Sequence, residues 1–348
     1  MAAHFFETLH RETENRFWIN NPSGDDIDLA IQHGAIACTT NPAYCSKLVD
    51  SNRAYLDQLV DDTVEQTPNE NEAAGIVYQK ASQRIMRAFL PHYEQSGGKE
   101  GFVTMQSDPR IDEDVVATIE DIDRNRTLAP NYMAKIPVIA PAFDMFRYCI
   151  AEDIPICATE VFALSQARAI CELYERETEK TGNRPPIYVT HITGIFDEYL
   201  KKVVERRGIE VDHALLERAG LAVARKQYRM FAENGFNVPM LGGGARETYH
   251  FTGLIGGKID ITINWSTAKQ LIDENTPVRN TINDETPRHE VDELRRKIPE
   301  FRKAYDEDGL VPGEFATYGP VQLFRNAFLK GWYQLLAYVA TRKHARAL

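Results

Sequence analysis

A lysine set among apolar residues is the first candidate for chemistry in this sequence. Lys135 lies in the run Asn-Tyr-Met-Ala-Lys-Ile-Pro-Val-Ile, with Met133, Ile136 and Val138 close on either side. Burial in such surroundings disfavours an ammonium ion and leaves the free amine populated near neutral pH. A free amine attacks a carbonyl to give a carbinolamine and then an imine. The plainer reading is a strand-end lysine whose charge reaches water along its aliphatic stem. What surrounds Lys135 decides between the two.

The elements that must hold such a lysine are legible in outline. Eight runs have the character of strands: Phe17–Asn20, Ala35–Asn41, Gly101–Gln106, Tyr132–Pro137, Ile154–Thr159, Ile187–Ile192, Asn237–Leu241 and Ile259–Ile263. Several are almost continuously apolar, as parallel strands covered on both faces are. Helical patterns lie between them. Ser23-Gly-Asp-Asp26 forms a capping-box signature, and Leu216, Ala219, Val223, Met230 and Phe231 form a helical stripe. This alternation predicts an α/β fold, a (β/α)8 TIM barrel, with an open doubly wound sheet as the alternative. Residues 1–348 read as one barrel domain with two additions. One, about 51–99, has a polar stretch Thr-Pro-Asn-Glu-Asn-Glu-Ala-Ala-Gly and then an amphipathic helix through Ile76, Ile85, Met86, Phe89 and Leu90. The other, about 273–348, is charged and loop-rich before a last helix with the stripe Val321, Phe324, Phe328, Leu335, Leu336 and Val339.

Composition narrows the function. A net charge of −11 disfavours nucleic acid and anionic membranes, which call for a basic surface. Five cysteines (Cys38, Cys45, Cys149, Cys157, Cys171), odd in number and without a Cys-x-x-Cys pair, read as reduced thiols. The histidines are scattered, with no His-x-x-x-His or His-Glu-x-x-His pair, so neither metal nor cofactor is expected. The charged start, MAAHFFETLHRETENR, lacks the apolar core of a secretory signal. No apolar run approaches the roughly 18 residues that would cross a bilayer. These features together predict a cytoplasmic protein acting on a small molecule.

In a barrel, chemistry sits at the C-terminal strand ends. Those ends are Asn20, Asn41, Gln106, Lys135, Thr159, Thr190 or His191, and Arg246 past a glycine-rich stretch. Around them stand ACTTNPAYCSK, GFVTMQSDPR, NYMAKIPV, DIPICATEVFALSQARAICE, YVTHITGIFDEYL and PMLGGGARETYHFTGLIGGKIDITIN. This ordered series, from about Phe17 to Leu271, resembles the transaldolase family of class I, Schiff-base aldolases. The resemblance implies Lys135 as the Schiff-base lysine, Asn41 as a sugar contact, Thr159 as a holder of the catalytic water and Arg246 as a phosphate ligand.

Several positions depart from the family pattern. Asn20 stands for the first-strand Asp, with Pro22 blurring the register. Gln106 stands where transaldolases have Glu and fructose-6-phosphate aldolases have Gln. Ile192 replaces an aromatic residue, Ile195 an arginine and Gly244 a serine. The usual carboxylates of the proton shuttle are therefore missing, and an imine mechanism needs acid–base help. Candidates for it are His191 first, then Glu160, Asp108 and Tyr44. For Asp108 the plainer reading is a salt bridge to Arg110, for Glu160 a surface charge, and for Tyr44 packing. Arg246 and the N–H groups of Gly242, Gly243 and Gly244 remain as an anion site, with Thr190 beside them. The expected activity is transfer or release of a three-carbon dihydroxyacetone unit from a ketose or its phosphate. The alternative is an inactive homologue that binds sugar or another protein. The expected partners are a sugar or sugar phosphate and, in any assembly, a second copy in a homodimer.

Overall fold

The computed structural model describes residues 5–347, so the first four residues of the charged N-terminal stretch lie outside it. All eight runs form strands: β1 (Arg16–Asn20), β2 (Ala35–Thr39), β3 (Val103–Gln106), β4 (Tyr132–Pro137), β5 (Ile156–Val161), β6 (Ile187–Ile192), β7 (Met240–Gly243) and β8 (Ile259–Ile263). They close into a barrel in chain order, with parallel pairing and helices between successive strands. The fold is thus a (β/α)8 barrel and not an open sheet. Every residue of β3, β4 and β5 is buried, as two-sided coverage requires.

The chain divides into two compact units, Ile19–Lys135 with Arg325–Leu348, and Met1–Trp18 with Ile136–Phe324. The first carries β2, β3 and β4. It includes the helices Arg53–Val64 and Glu70–Gln95. The second of these begins earlier than the sequence suggests. The Asn69 side chain accepts the N–H groups of Asn71 and Glu72 at 3.0 and 3.2 Å, so Glu-Asn-Glu is a capped first turn and not a loop. Its inner face presents Ala73, Val77, Tyr78, Ile85 and Phe89. The last helix, Gly319–Ala347, docks against this unit from Arg325 onward. Trp332 meets the Tyr78 ring edge-on, Arg342 pairs with Asp57 and Asp61, and Gly331 lets the helix approach Ala43, where a Cβ would sit 2.5 Å away.

The second unit carries β5 to β8. The expected helical stripe is buried throughout but divides between two helices, His213–Leu216 and Ala219–Asn234. β7 starts and ends later than expected. Pro239 has no N–H to give, and its carbonyl accepts Val189 N–H at 3.0 Å. Gly242 and Gly243 are therefore strand residues, needed because a Cβ on Gly242 would meet Leu254 at 2.8 Å and one on Gly243 would meet Thr190 at 3.1 Å. All five cysteines are buried, and none forms a disulfide among the described residues. Among the described residues no helix is long and apolar enough to cross a membrane.

Candidate active site

Lys135 lies within β4, between Ala134 and Ile136, in register with Gln106 on β3. It is only 8% exposed, which removes the reading of a lysine reaching out to water. Its Nζ donates to the Thr40 carbonyl at 3.1 Å and stands 5.9 Å from the centre of the Phe328 ring. Thr40 is itself fixed. Its Oγ1 donates to the Thr104 carbonyl at 2.7 Å and lies 3.1 Å from Tyr78 Oη. The amine is thus held by a backbone carbonyl on a braced strand end, with an aromatic face from the last helix beside it. Nothing local in the sequence marks Phe328 for this place, because it lies nearly two hundred residues away from Lys135.

Asn20 and Gln106 end β1 and β3, and Asn41 follows the end of β2. Asn20 Oδ1 accepts the Thr39 hydroxyl at 3.1 Å. Asn41 lies just past β2, where its Oδ1 caps Ala43 N–H at 3.1 Å and opens the helix Tyr44–Ser51. Sequence reasoning missed Asn21. It is 9% exposed, its φ is +46°, and neither side-chain amide atom has a hydrogen-bond partner among the described residues. Asn tolerates this left-handed backbone better than most residues, and the Asn-Pro pair was the available signal. A buried amide with no partner is the kind of group that a ligand or water satisfies. Two other candidates fall to their plainer readings. Asp108 is clamped by Arg110 through its Nε and Nη2. Tyr44 packs, donating to the Pro22 carbonyl at 2.9 Å, and burial pushes its phenol well above the ordinary range.

On β5, the Thr159 carbonyl accepts Val138 N–H at 2.9 Å, while its buried hydroxyl has no partner among the described residues. The next residue corrects an expectation. Glu160 is no surface charge; it is 1% exposed, with φ +59°, in an irregularity where the β5–β6 register shifts between Ala158 and Val161. Gln166 clamps that bulge. Its Nε2 donates to the Glu160 and Val138 carbonyls at 3.0 Å each, and its Oε1 accepts Phe162 N–H at 3.0 Å and Ala163 N–H at 3.2 Å. Bulges and left-handed non-glycine residues concentrate at functional strand ends, where they re-aim a side chain.

β6 separates two candidates that are adjacent in sequence. Thr190 shares a face with Cys157, Oγ1 to Sγ 3.3 Å. His191 faces the other way, into the helix layer, with Nδ1 2.9 Å from Gln227 Oε1 on the helix Ala219–Asn234. Burial pushes its pKa down to about 4, so it is a neutral core imidazole at pH 7. The expectation that His191 moves protons is therefore corrected: strand alternation carries it away from Thr190.

The β7 end is more altered. Gly242 and Gly243 pair with His191 and Ile192 in the sheet, so of the three glycines only Gly244 belongs to the turn. Gly244 has φ +68°, and a Cβ there would strike Ile192 at 2.5 Å. Two replaced family positions thus meet in one apolar contact. Arg246 follows, about half exposed, its Nε 3.3 Å from Glu198, which also holds Lys202 at 2.6 Å. An incoming phosphate would have to draw the guanidinium from this exposed pair, a modest cost.

The family model described as transaldolase/fructose-6-phosphate aldolase matches residues 17–310. The chain belongs to that family. The match runs past Leu271, where the legible motifs end, and stops before the last helix. Among curated relatives, Transaldolase 1 of Streptomyces avermitilis is 26% identical over 228 residues, 61% of this chain and 58% of that protein. The transaldolase of Thermobifida fusca is 25% identical over 228 residues, again 61% of this chain and 59% of that protein. The transaldolase of Thiobacillus denitrificans is 23% identical over 323 residues, covering 87% of this chain and 88% of its own length. The matched region thus spans less than two thirds of the first two relatives and most of the third.

Proposed function

We propose that this chain is a transaldolase-like enzyme that transfers or cleaves a three-carbon dihydroxyacetone unit of a ketose or ketose phosphate through an imine on Lys135. The observation that carries the reading is the buried Lys135 amine, held on the Thr40 carbonyl at the end of a barrel strand. The amine attacks the ketose C2 carbonyl, and loss of water gives the protonated imine. That cation draws in the electrons of the C3–C4 bond. The bond breaks as the C4 hydroxyl loses its proton, leaving an enamine on the lysine and an aldehyde. The enamine then attacks an acceptor aldehyde or takes a proton, and in either case water hydrolyses the resulting imine, freeing the product and the lysine amine.

The residues divide this work. Asn20, Asn21 and Asn41 offer amides to sugar hydroxyls. Gln106 and Thr159 hold the water that forms and hydrolyses the imine. Amides and hydroxyls cannot take up a proton at neutral pH, so a carboxyl is needed. Glu160 replaces His191 as the candidate, being buried, ionisable and next to Thr159. Arg246, the turn at Gly244 and Thr190 would receive the far end of the substrate, where a guanidinium suits a phosphate's paired oxygens. An imine supplies the electron sink that a metal ion would otherwise provide, so no metal is proposed. The whole of 1–348 would act as one barrel domain, in the cytoplasm, on a small sugar, alone or as a homodimer.

Amides at Asn20 and Gln106 favour a second reading, a barrel that binds sugar without turnover; the buried Glu160 carboxyl weighs against it. Mass-spectrometric detection of products from a donor panel, fructose 6-phosphate and dihydroxyacetone included, separates the two. The first reading predicts a three-carbon unit moved or released. Binding with no product from any donor would favour the second.

A further inference from the structure

The turn after β7 is tied down by two buried side chains that the mechanism above does not use. His250, on the short helix Tyr249–Thr252, is 2% exposed, and Asp197, in the first turn of the helix Gly194–Arg207, is 3% exposed. His250 Nε2 lies 3.0 Å from Asp197 Oδ2. Asp197 Oδ1 accepts the Gly220 N–H at 2.6 Å. The other ring nitrogen, Nδ1, receives the backbone N–H of Glu247 at 3.1 Å and, more loosely, that of Arg246 at 3.4 Å. Nδ1 also lies 3.3 Å from the Glu247 carbonyl, but the closer Glu247 N–H can only donate and the Asp197 carboxylate on the other nitrogen can only accept, so Nδ1 is the acceptor and the ring proton sits on Nε2, pointing at Asp197. One chain of hydrogen bonds therefore runs from Gly220 through Asp197 and His250 to the backbone at Arg246 and Glu247.

Packing leaves this chain little slack. A Cβ on Gly194 would come within 2.9 Å of His250 Cε1 and 2.8 Å of Arg246 N, and the Tyr249 and His250 ring centroids are 4.1 Å apart. A buried carboxylate–imidazole pair is an expensive way to join two helices, since apolar residues of similar size would serve at least as well. It does give one thing packing cannot, a directed acceptor for the turn's N–H groups. The need for direction is plain at this spot. Ile195 stands where the family has a second arginine, so a lone guanidinium must do the work of two.

We propose that Asp197 and His250 are positioning residues for Arg246, fixing the backbone of the turn and so setting the affinity of the site for the phosphate end of a sugar phosphate. The inference rests on the reading of Arg246 as the phosphate ligand. Two substitutions separate the links of the chain. His250→Gln keeps an N–H for Asp197 but withdraws the acceptor from Glu247. His250→Asn keeps an acceptor for Glu247. The measurements are kcat and KM with fructose 6-phosphate and with fructose, and hydrogen exchange of the peptide spanning 244–248. His250→Gln should raise KM for fructose 6-phosphate about 10-fold, the loss of one well-placed hydrogen bond, and leave kcat and the fructose reaction within about two-fold. Exchange in the turn should quicken. His250→Asn, which keeps the acceptor for Glu247 but loses the bond to Asp197, should fall between His250→Gln and the wild type in both KM and exchange. Equal losses with both sugars, or unchanged KM and exchange in His250→Gln, would overturn the proposal. Arg246→Ala serves as the reference. If it discriminates against the phosphorylated sugar and His250→Gln does not, the positioning role alone falls. If Arg246→Ala is blind to phosphate, the reading of Arg246 falls and takes this inference with it.

Discussion

The ends of β4 and β7 have kept their family character to very different degrees. At β4 the lysine proposed to react is fixed by strand residues and their immediate neighbours: Lys135 sits in register with Gln106, and its amine rests on Thr40, which Thr104 and Tyr78 brace. At β7 an expected serine, arginine and aromatic residue have become Gly244, Ile195 and Ile192, which pack together, and the turn leans on His250 and Asp197. Strands change little because a shift at one register position disturbs every pair along the ladder. Turns can be rebuilt locally. The difference teaches that, on the proposed reading, the amine that would react and the groups that would receive the far end of the substrate are held by separate devices, strand residues in one case and a rebuilt turn in the other.

That comparison can be broken in several ways, the β4 side first. Lys135→Arg keeps a positive charge, but a guanidinium stays protonated and forms no imine, so kcat should fall at least about 1,000-fold with every donor while circular dichroism stays native. Turnover near the wild-type rate would remove the β4 half of the account. Glu160→Gln keeps size and hydrogen bonding but not the exchangeable proton. We expect a kcat loss of about 100-fold with little change in KM, and a loss of the acid limb of the pH–rate profile. An unchanged profile would return the proton transfer to another group. Arg246→Ala tests the β7 side and should raise KM about 10-fold for fructose 6-phosphate and hardly at all for dihydroxyacetone. Equal changes in both would deny the division of labour.

The smallest effect on activity belongs to His191. Its pKa is held down to about 4 against an ordinary value of 6.5, chiefly by burial. Between those pH values the unfolded chain binds a proton that the folded chain refuses, so stability falls as pH drops through that window, by about 3 kcal/mol over its full width. His191→Asn can still donate to Gln227 and cannot titrate. It should flatten the acid limb of urea unfolding measured from pH 7 to pH 4 and leave kcat within about two-fold. A large kcat loss would restore His191 to the site.

What the sequence disclosed follows the same line. Strand positions and the buried lysine were legible because both-sided burial writes itself as an apolar run, and Lys135 interrupts one. The later start of β7 was not, because glycines that permit close approach read the same as glycines that permit a turn. His191 and Thr190 could not be told apart, since a single step along a strand reverses the face and the register of a short run is uncertain by that much. The left-handed Glu160 in its bulge, Phe328 beside Lys135, and the pair Asp197–His250 depend on contacts distant in sequence or on a local break in pairing, and periodicity carries neither.

The central claim, an imine on Lys135, has a direct test. The wild-type protein is incubated with dihydroxyacetone, or with fructose 6-phosphate, reduced with borohydride and digested, and the modified peptide is located by tandem mass spectrometry. The account predicts one three-carbon adduct, on Lys135, absent without borohydride and absent from Lys135→Arg. No adduct with either donor, or adducts spread over other lysines with Lys135 unmodified, would contradict it.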